Sequence, residues 1–112
     1  MAGNAAYPAG AIYCATKAAV KTITDGLRMD VIDTPIRVTN VKPGLVETNF
    51  SNVRFSGDTE RAKTVYKGIQ PLTGTDIADV AVYAANAPEH VQVAEVLILA
   101  THQGSGSVIV RK

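Results

Sequence analysis

Tyr13 and Lys17 stand four residues apart in Ile12-Tyr13-Cys14-Ala15-Thr16-Lys17-Ala18-Ala19, and thirty residues beyond Tyr13 the chain reads Pro43-Gly44-Leu45-Val46-Glu47-Thr48. The first run has the composition of a helix, where an i, i+4 pair shares one face, so the Lys17 ammonium can lie near the Tyr13 phenol. A phenol ordinarily titrates near ~10 and trades protons near neutrality only where a neighbouring positive charge favours the phenolate. Tyr13 is therefore the candidate general acid and base, with Lys17 as the group that tunes it. The other tyrosines, Tyr7, Tyr66 and Tyr83, have Ala11, Gln70 and Ala87 at the same offset.

The elements that must hold these residues alternate helix and strand. Pro8-Ala9-Gly10 reads as a loop that opens a helix from about Ala11 to Ile32, with Ile12, Ala19, Ile23, Leu27 and Val31 at helical spacing. The small residues Ala15, Ala18 and Ala19 allow close approach to either a sheet or another subunit. Pro35 ends this helix, and Ile36 to Val41 reads as a strand that Pro43-Gly44 terminates. From Glu47 to Gln70 lies an insertion-like segment with a short helix, Asp58 to Lys67, closed by Gly68, whose Ala62, Val65, Tyr66 and Ile69 form one apolar face. Thr73 and Asp76 have the spacing of a capping box, which predicts a helix to about Asn86 with Ile77, Val80, Ala81 and Ala84 facing inward, before Pro88. Glu95 to Ala100 carries the uninterrupted run Val96-Leu97-Ile98-Leu99, which suits a strand buried on both faces. In an open α/β sheet the ligand crevice lies beyond the carboxyl ends of the strands, which is where the Pro43-Gly44 loop falls.

The two motifs together resemble the short-chain dehydrogenase/reductase family, whose nucleotide-binding fold carries Tyr-x-x-x-Lys on one helix and Pro-Gly-x-Val-x-Thr after the next strand. Asn49-Phe50-Ser51-Asn52-Val53-Arg54-Phe55-Ser56-Gly57-Asp58 and Thr101-His102-Gln103 are similar to segments of the NADP-dependent 3-hydroxy acid dehydrogenase subgroup, which also acts on serine and allo-threonine. The similarity runs from Ala2 to about Gln103. It implies an α/β fold, the C-terminal portion of a Rossmann-like doubly wound parallel sheet lacking the N-terminal strands, within one domain over residues 1–112. Residues 47–70 would form a lid over the substrate, and residues 104–112 a flexible tail. The implied cofactor is NADP, with NAD open. Tyr13, Lys17, Pro43, Gly44, Val46 and Thr48 would hold it: Gly44 by close backbone approach to the ring, the Val46 backbone and the Thr48 hydroxyl at the carboxamide, and Lys17 at the nicotinamide ribose. Arg54 is the candidate for a substrate carboxylate, because a guanidinium offers a fork of matching shape.

Part of the family pattern falls outside the chain. The catalytic serine expected thirteen residues ahead of the tyrosine would lie one position before Met1, and no Gly-rich phosphate turn occurs; Gly104-Ser105-Gly106 follows no helix-opening pattern. The expectation is therefore the C-terminal half of an oxidoreductase, inactive alone, or alternatively a noncatalytic remnant able only to associate with full-length subunits. The full-length form would be a homo-oligomer acting on a small hydroxy acid.

Composition narrows the remaining classes. Net charge is +1 with Lys and Arg scattered, so no basic stripe argues for nucleic acid. The single cysteine, Cys14, permits no internal disulfide and reads as a small packed residue. His90 and His102 have no Ser, Asp or Cys arrangement around them, and no metal site is expected. No run approaches the ~20 apolar residues of a membrane span and no signal peptide pattern is present, so the expected compartment is the cytoplasm.

Overall fold

Asp58 and Thr73 start helices by one device, a side-chain oxygen that accepts an otherwise unpaired amide of the first turn. In the computed structural model, which describes residues 2–112 except the side chain of Ala62, Asp58 Oδ1 accepts from the Arg61 amide at 3.0 Å. The Thr73 hydroxyl accepts from the Asp76 amide, and the Asp76 carboxylate returns to the Thr73 amide at 2.7 Å, completing the expected capping box. The elements in order are α1 (Ala11–Asp30), β1 (Asn40–Pro43), α2 (Phe50–Arg54), α3 (Thr59–Tyr66), α4 (Gly74–Ala85) and β2 (Glu95–Ile98). The chain is thus α/β, and β1 and β2 pair in parallel with Asn40 opposite Glu95 and Pro43 opposite Ile98.

Both strands are shorter than their apolar runs suggested. Residues 36–39 do not join the ladder; side chains take the place of ladder hydrogen bonds there. The Arg37 guanidinium donates to the carbonyls of Ala85, Ala87, Pro88 and Val91 at the end of α4. The Val38 amide donates to Gln92 Oε1 at 3.0 Å. Pro43, expected as the stop, is instead the last residue of β1. It is tolerated because its missing N–H falls on the edge away from β2. In β2, Val96 and Ile98 are half-buried whereas Leu97 remains 43% exposed, so the strand is not buried on both faces. The Val65, Tyr66 and Ile69 side of α3 and its loop is half-buried as expected, while the fourth member of that face, Ala62, lies outside the described side chains.

Helix α1 presents a polar stripe inward and an apolar stripe outward. Ile12 is 83% and Ile23 68% exposed. The inner side carries buried Cys14 and the ion triad Lys21, Asp25 and Arg28, with Lys21–Asp25 at 2.6 Å and Arg28–Asp25 at 2.8 Å. Arg28 also donates from Nε to the Val38 carbonyl at 3.2 Å and from Nη2 to the Ala94 carbonyl at 2.9 Å. One guanidinium therefore ties the helix to the entries of both strands. In α4, Ile77 and Val80 are half-buried and Ala84 is buried, but Ala81 is exposed.

The described core is made of small groups, Cys14, Ala84 and Ala100 with the polar Ser51 and Gln103, and no large side chain is fully buried. A compact monomer of 11.8 kDa exposes about 5,900 Å². This chain exposes 7609 Å², and the outward stripe of α1 accounts for much of the surplus apolar surface.

Two stability predictions follow from these anchors. Arg28→Ala removes two charge-assisted bonds to backbone carbonyls and should cost about 1.5–3 kcal/mol in the assembled protein, read by chemical denaturation; Arg28→Lys, which cannot span both carbonyls, should recover little. The Asp76 carboxyl is held below its ordinary value by the Thr73 amide first and the Thr73 hydroxyl second. A depressed folded value gives stability that is fully present above the unfolded value of ~3.9 and is lost as pH falls through the folded one. Asp76→Asn should therefore be less stable than wild type at pH 7, with the stabilities of the two converging as pH falls through the folded value of Asp76.

Candidate active site

Tyr13 sits in the first turn of α1, half-buried, with no acidic residue beside it in that turn. One turn later Lys17 is exposed and places its Nζ 5.5 Å from the Tyr13 ring centroid, so the two side chains share a face as the spacing predicts. The approach to the helix is shaped by Tyr7, whose ring occupies the space a Cβ on Gly10 would need, with Cε2 only 2.2 Å from that point. Gly10 is buried and its amide donates back to the Tyr7 carbonyl at 3.1 Å, so a glycine is required for the ring to lie against the helix start.

Helix α2, a second short helix in the 47–70 segment beside the expected one, completes this cluster. Its first residue, Phe50, packs its ring on Tyr13 at 6.4 Å between centroids. Its last, Arg54, holds its guanidinium carbon 5.4 Å from the Tyr13 centroid and 5.8 Å from the Phe55 centroid. Arg54 Nη2 also donates to the Tyr7 hydroxyl at 3.2 Å. Tyr13 thus has a cation on its own helix and a second from α2, with Tyr7 holding the second in place. Neither Tyr7 nor Phe50 was singled out from sequence; the available signal was the Tyr7-Pro8-Ala9-Gly10 turn ahead of the helix.

The second cluster is the loop after β1. Gly44 donates to the Ile98 carbonyl at 2.7 Å, and Leu45 donates to Gln103 Oε1 at 2.9 Å. Gln103 is buried, and its Oε1 would lie 2.3 Å from a Cβ on Gly44, so the glycine admits this side chain against the loop. Val46 stands opposite Leu72 in an isolated parallel bridge: the Leu72 amide donates to the Leu45 carbonyl and the Glu47 amide to the Leu72 carbonyl, each at 2.8 Å. Such a bridge turns the N–H and C=O of Val46 itself to the opposite edge. There the carbonyl accepts from the Tyr66 hydroxyl at 2.9 Å, while the Val46 amide has no acceptor among the described residues. Thr48 is exposed, and its hydroxyl accepts from the Phe50 amide at 3.2 Å. Thr48 and Phe50 therefore join the two clusters in sequence, since the residue whose amide meets Thr48 packs its ring on Tyr13.

Residues 47–70 comprise α2, a turn at Ser56 and Gly57 with φ of 53° and 88°, and α3. The segment after Gly104 folds back on the chain. Ile109 bridges Gln103, Val110 donates to the His102 carbonyl at 2.9 Å, and Arg111 donates to the carbonyls of Val65 and Lys67. His90 and His102 are exposed, and among the described residues no three His, Cys, Asp or Glu side chains cluster to hold a metal. Among the described residues no helix is long and apolar enough to cross a membrane.

A parallel strand pair with a tyrosine–lysine helix and a glycine loop beyond the strand ends defines an α/β fold of the Rossmann type, of which this chain forms a part. The short chain dehydrogenase family profile matches residues 1–59, and the chain belongs to that family. It is 46% identical over its whole length to an NADP-dependent 3-hydroxy acid dehydrogenase of Schizosaccharomyces pombe, of which it covers 43%. It is 34% identical over 92% of its length to a serine 3-dehydrogenase of Agrobacterium fabrum, of which it covers 41%. The structure of a serine dehydrogenase complexed with NADP+ in its closed form superposes with a TM-score of 0.91 at 35% identity, over 100% of this chain and 46% of that one. The chain thus spans less than half the length of these relatives.

The Gly44–Gln103 contact yields a double-mutant prediction. Gly44→Ala drives a methyl into Gln103 Oε1 and toward Leu99, and should destabilise the assembled protein by about 1–3 kcal/mol. In a Gln103→Ala background the added cost should fall by more than half. Equal costs in both backgrounds, measured by thermal or chemical unfolding, would refute the packing role given to Gly44.

Proposed function

We propose that this chain carries the acid–base residues of an NADP-dependent oxidoreductase that transfers a hydride between the cofactor and a small 3-hydroxy acid or hydroxy amino acid. The observation that carries the reading is the Tyr13 phenol with two cations, Lys17 and Arg54, placed 5.5 and 5.4 Å from its ring. When bound, NADP supplies the redox chemistry, accepting the hydride released by the carbinol carbon. The chain supplies the proton path and the orientation. Tyr13 removes the proton from the substrate hydroxyl during oxidation and returns it to the carbonyl oxygen during reduction. Lys17 stabilises the negative charge that the phenol oxygen acquires, and its ammonium is the group for the nicotinamide ribose.

The chain's residues fit such a cofactor on one structural point. The amide of half-buried Val46 has no acceptor among the described residues, and a carboxamide oxygen is a suitable partner. Pro43 and Gly44 bring the backbone to that place, and Thr48 adds a hydroxyl beside it. Arg54 is assigned to the substrate carboxylate: one of its N–H groups is spent on Tyr7, and the rest have no acceptor among the described residues. We read the assembled enzyme as a cytoplasmic homo-oligomer, and the apolar outer stripe of α1 supports association. That stripe also favours the alternative of a noncatalytic chain that only associates with longer subunits, which the test below separates.

The test is turnover by a complete enzyme that carries this chain as its C-terminal part. NADP-dependent oxidation of 3-hydroxy acids is expected, with Tyr13→Phe lowering kcat by ~10²-fold or more, as loss of a general base does. Arg54→Ala should raise KM for hydroxy acids about tenfold, with a smaller change for simple alcohols. Full activity of Tyr13→Phe would eliminate the proton role, and an unchanged KM in Arg54→Ala would eliminate the carboxylate role.

A further inference from the structure

Tyr66 is not among the expected site residues, yet its hydroxyl links the two clusters a second time, beside Thr48 and Phe50. The Tyr66 Oη lies 2.9 Å from the Val46 carbonyl and 2.9 Å from the Ser51 hydroxyl. A phenol has one proton, and a carbonyl can only accept, so Tyr66 donates to Val46 and Ser51 must donate to Tyr66. Ser51 is 5% exposed, the second residue of α2, and a buried hydroxyl that loses its partner carries a desolvation penalty. The order Ser51, Tyr66, Val46 is therefore a directed chain of hydrogen bonds from α2 through α3 to the loop after β1.

Each end of that chain sits beside a group with an assigned task. At one end, α2 carries Arg54 three residues beyond Ser51 and holds it against Tyr13. At the other, Val46 is clamped on one edge by Leu72 and on the other by Tyr66, and its amide has no acceptor among the described residues. Because Tyr66 bonds both Ser51 of α2 and the Val46 carbonyl, a shift of α2 and α3 together away from the loop breaks the Tyr66–Val46 bond.

We propose that Tyr66 is a positioning residue that couples occupancy of the substrate carboxylate site at Arg54 to the Val46 amide at the nicotinamide, so that hydroxy acid and dinucleotide bind with positive cooperativity. This rests on the function proposed above and adds a linkage that function does not require. Linkage is reciprocal, so each ligand should tighten the other by one factor.

The experiment uses the complete enzyme with NADPH and 3-hydroxypropionate, two reduced partners that cannot react and so form a dead-end ternary complex. NADPH fluorescence titrations with and without 3-hydroxypropionate should show Kd for NADPH falling at least fivefold in wild type. In Tyr66→Phe the two Kd values should agree within twofold, and in Ser51→Ala the ratio should fall partway. Arg54→Ala, which removes the carboxylate site, should bring the ratio to one. Thermal midpoints report folding of each variant, and Ser51→Ala keeps the test open if Tyr66→Phe does not fold. Cooperativity retained in Tyr66→Phe, or absent from an active wild type, overturns the coupling. Failure of wild type to bind NADPH or turn over hydroxy acids overturns instead the function on which it rests.

Discussion

The parallel register of β1 and β2 is the constraint on which the rest depends. Because Pro43 faces Ile98, both strands stop at one edge, and the chain leaves that edge as two loops, 44–48 and 99–103. Parallel strands bring their carboxyl ends together, and a slip of one residue would reverse every side chain relative to the sheet faces. Gln103 then does what a further ladder residue would have done. Its Oε1 accepts the Leu45 amide and its Nε2 donates to the Ser105 carbonyl at 3.2 Å, so a side-chain amide continues the hydrogen bonding where the strands diverge. Gly44 is the necessary counterpart, since only a residue without a Cβ leaves room for that amide.

The same edge is supported from beneath by an ion-paired seam rather than by an oily one. The inward side of α1 carries Lys21, Asp25 and Arg28, and the Asp25 carboxyl is held below the usual range by its hydrogen bond to Lys21 first and that to Arg28 second. The Lys21 ammonium is correspondingly pushed up by its hydrogen bond to Asp25. Arg28 converts this charge cluster into structure by reaching the carbonyls of Val38 and Ala94, the last groups before each strand begins to pair. An arginine suits the position because a planar fork can serve two carbonyls and a carboxylate at once, which an ammonium on a single stem cannot. The helix start is thereby held relative to the strand ends through its far half, some turns away from the chemistry.

Much of this was legible in the sequence where a local rule decides the outcome. The capping box at Thr73 and the shared face of Tyr13 and Lys17 follow from neighbours within four residues, and the structure shows both. What was not legible depends on partners distant in sequence. The stretch 36–39 has strand composition, but Arg37 spends its donors on carbonyls of residues 85–91, and no local signal announces that exchange. Helix α2 has five residues, too few for a periodic pattern, and it exists where Phe50 can rest on Tyr13 and Ser51 can meet Tyr66. Helical spacing showed that Ile12, Ile23 and Leu27 form a stripe without saying which way the stripe faces. Spacing defines a face, and only tertiary contacts choose its partner.

The two cations around Tyr13 differ in how they are held, and that difference gives the proposed site its logic. Lys17 is bound to the tyrosine by the pitch of one helix, so its charge is a permanent part of the phenol's surroundings, as is the positive end of α1, whose first turn carries no acidic residue. Arg54 arrives on a separate five-residue helix and is steadied by Tyr7. In its proposed role it meets a carboxylate, which neutralises its field at the moment the substrate hydroxyl approaches Tyr13. The charge opposing proton abstraction by the substrate's own carboxylate is thereby cancelled at its source, and the permanent cation is left free to stabilise the phenol oxygen. In the function proposed above, preference for acids over alcohols would come from electrostatic pairing with Arg54 at α2, whereas proton transfer would be furnished by Tyr13 and Lys17 on α1.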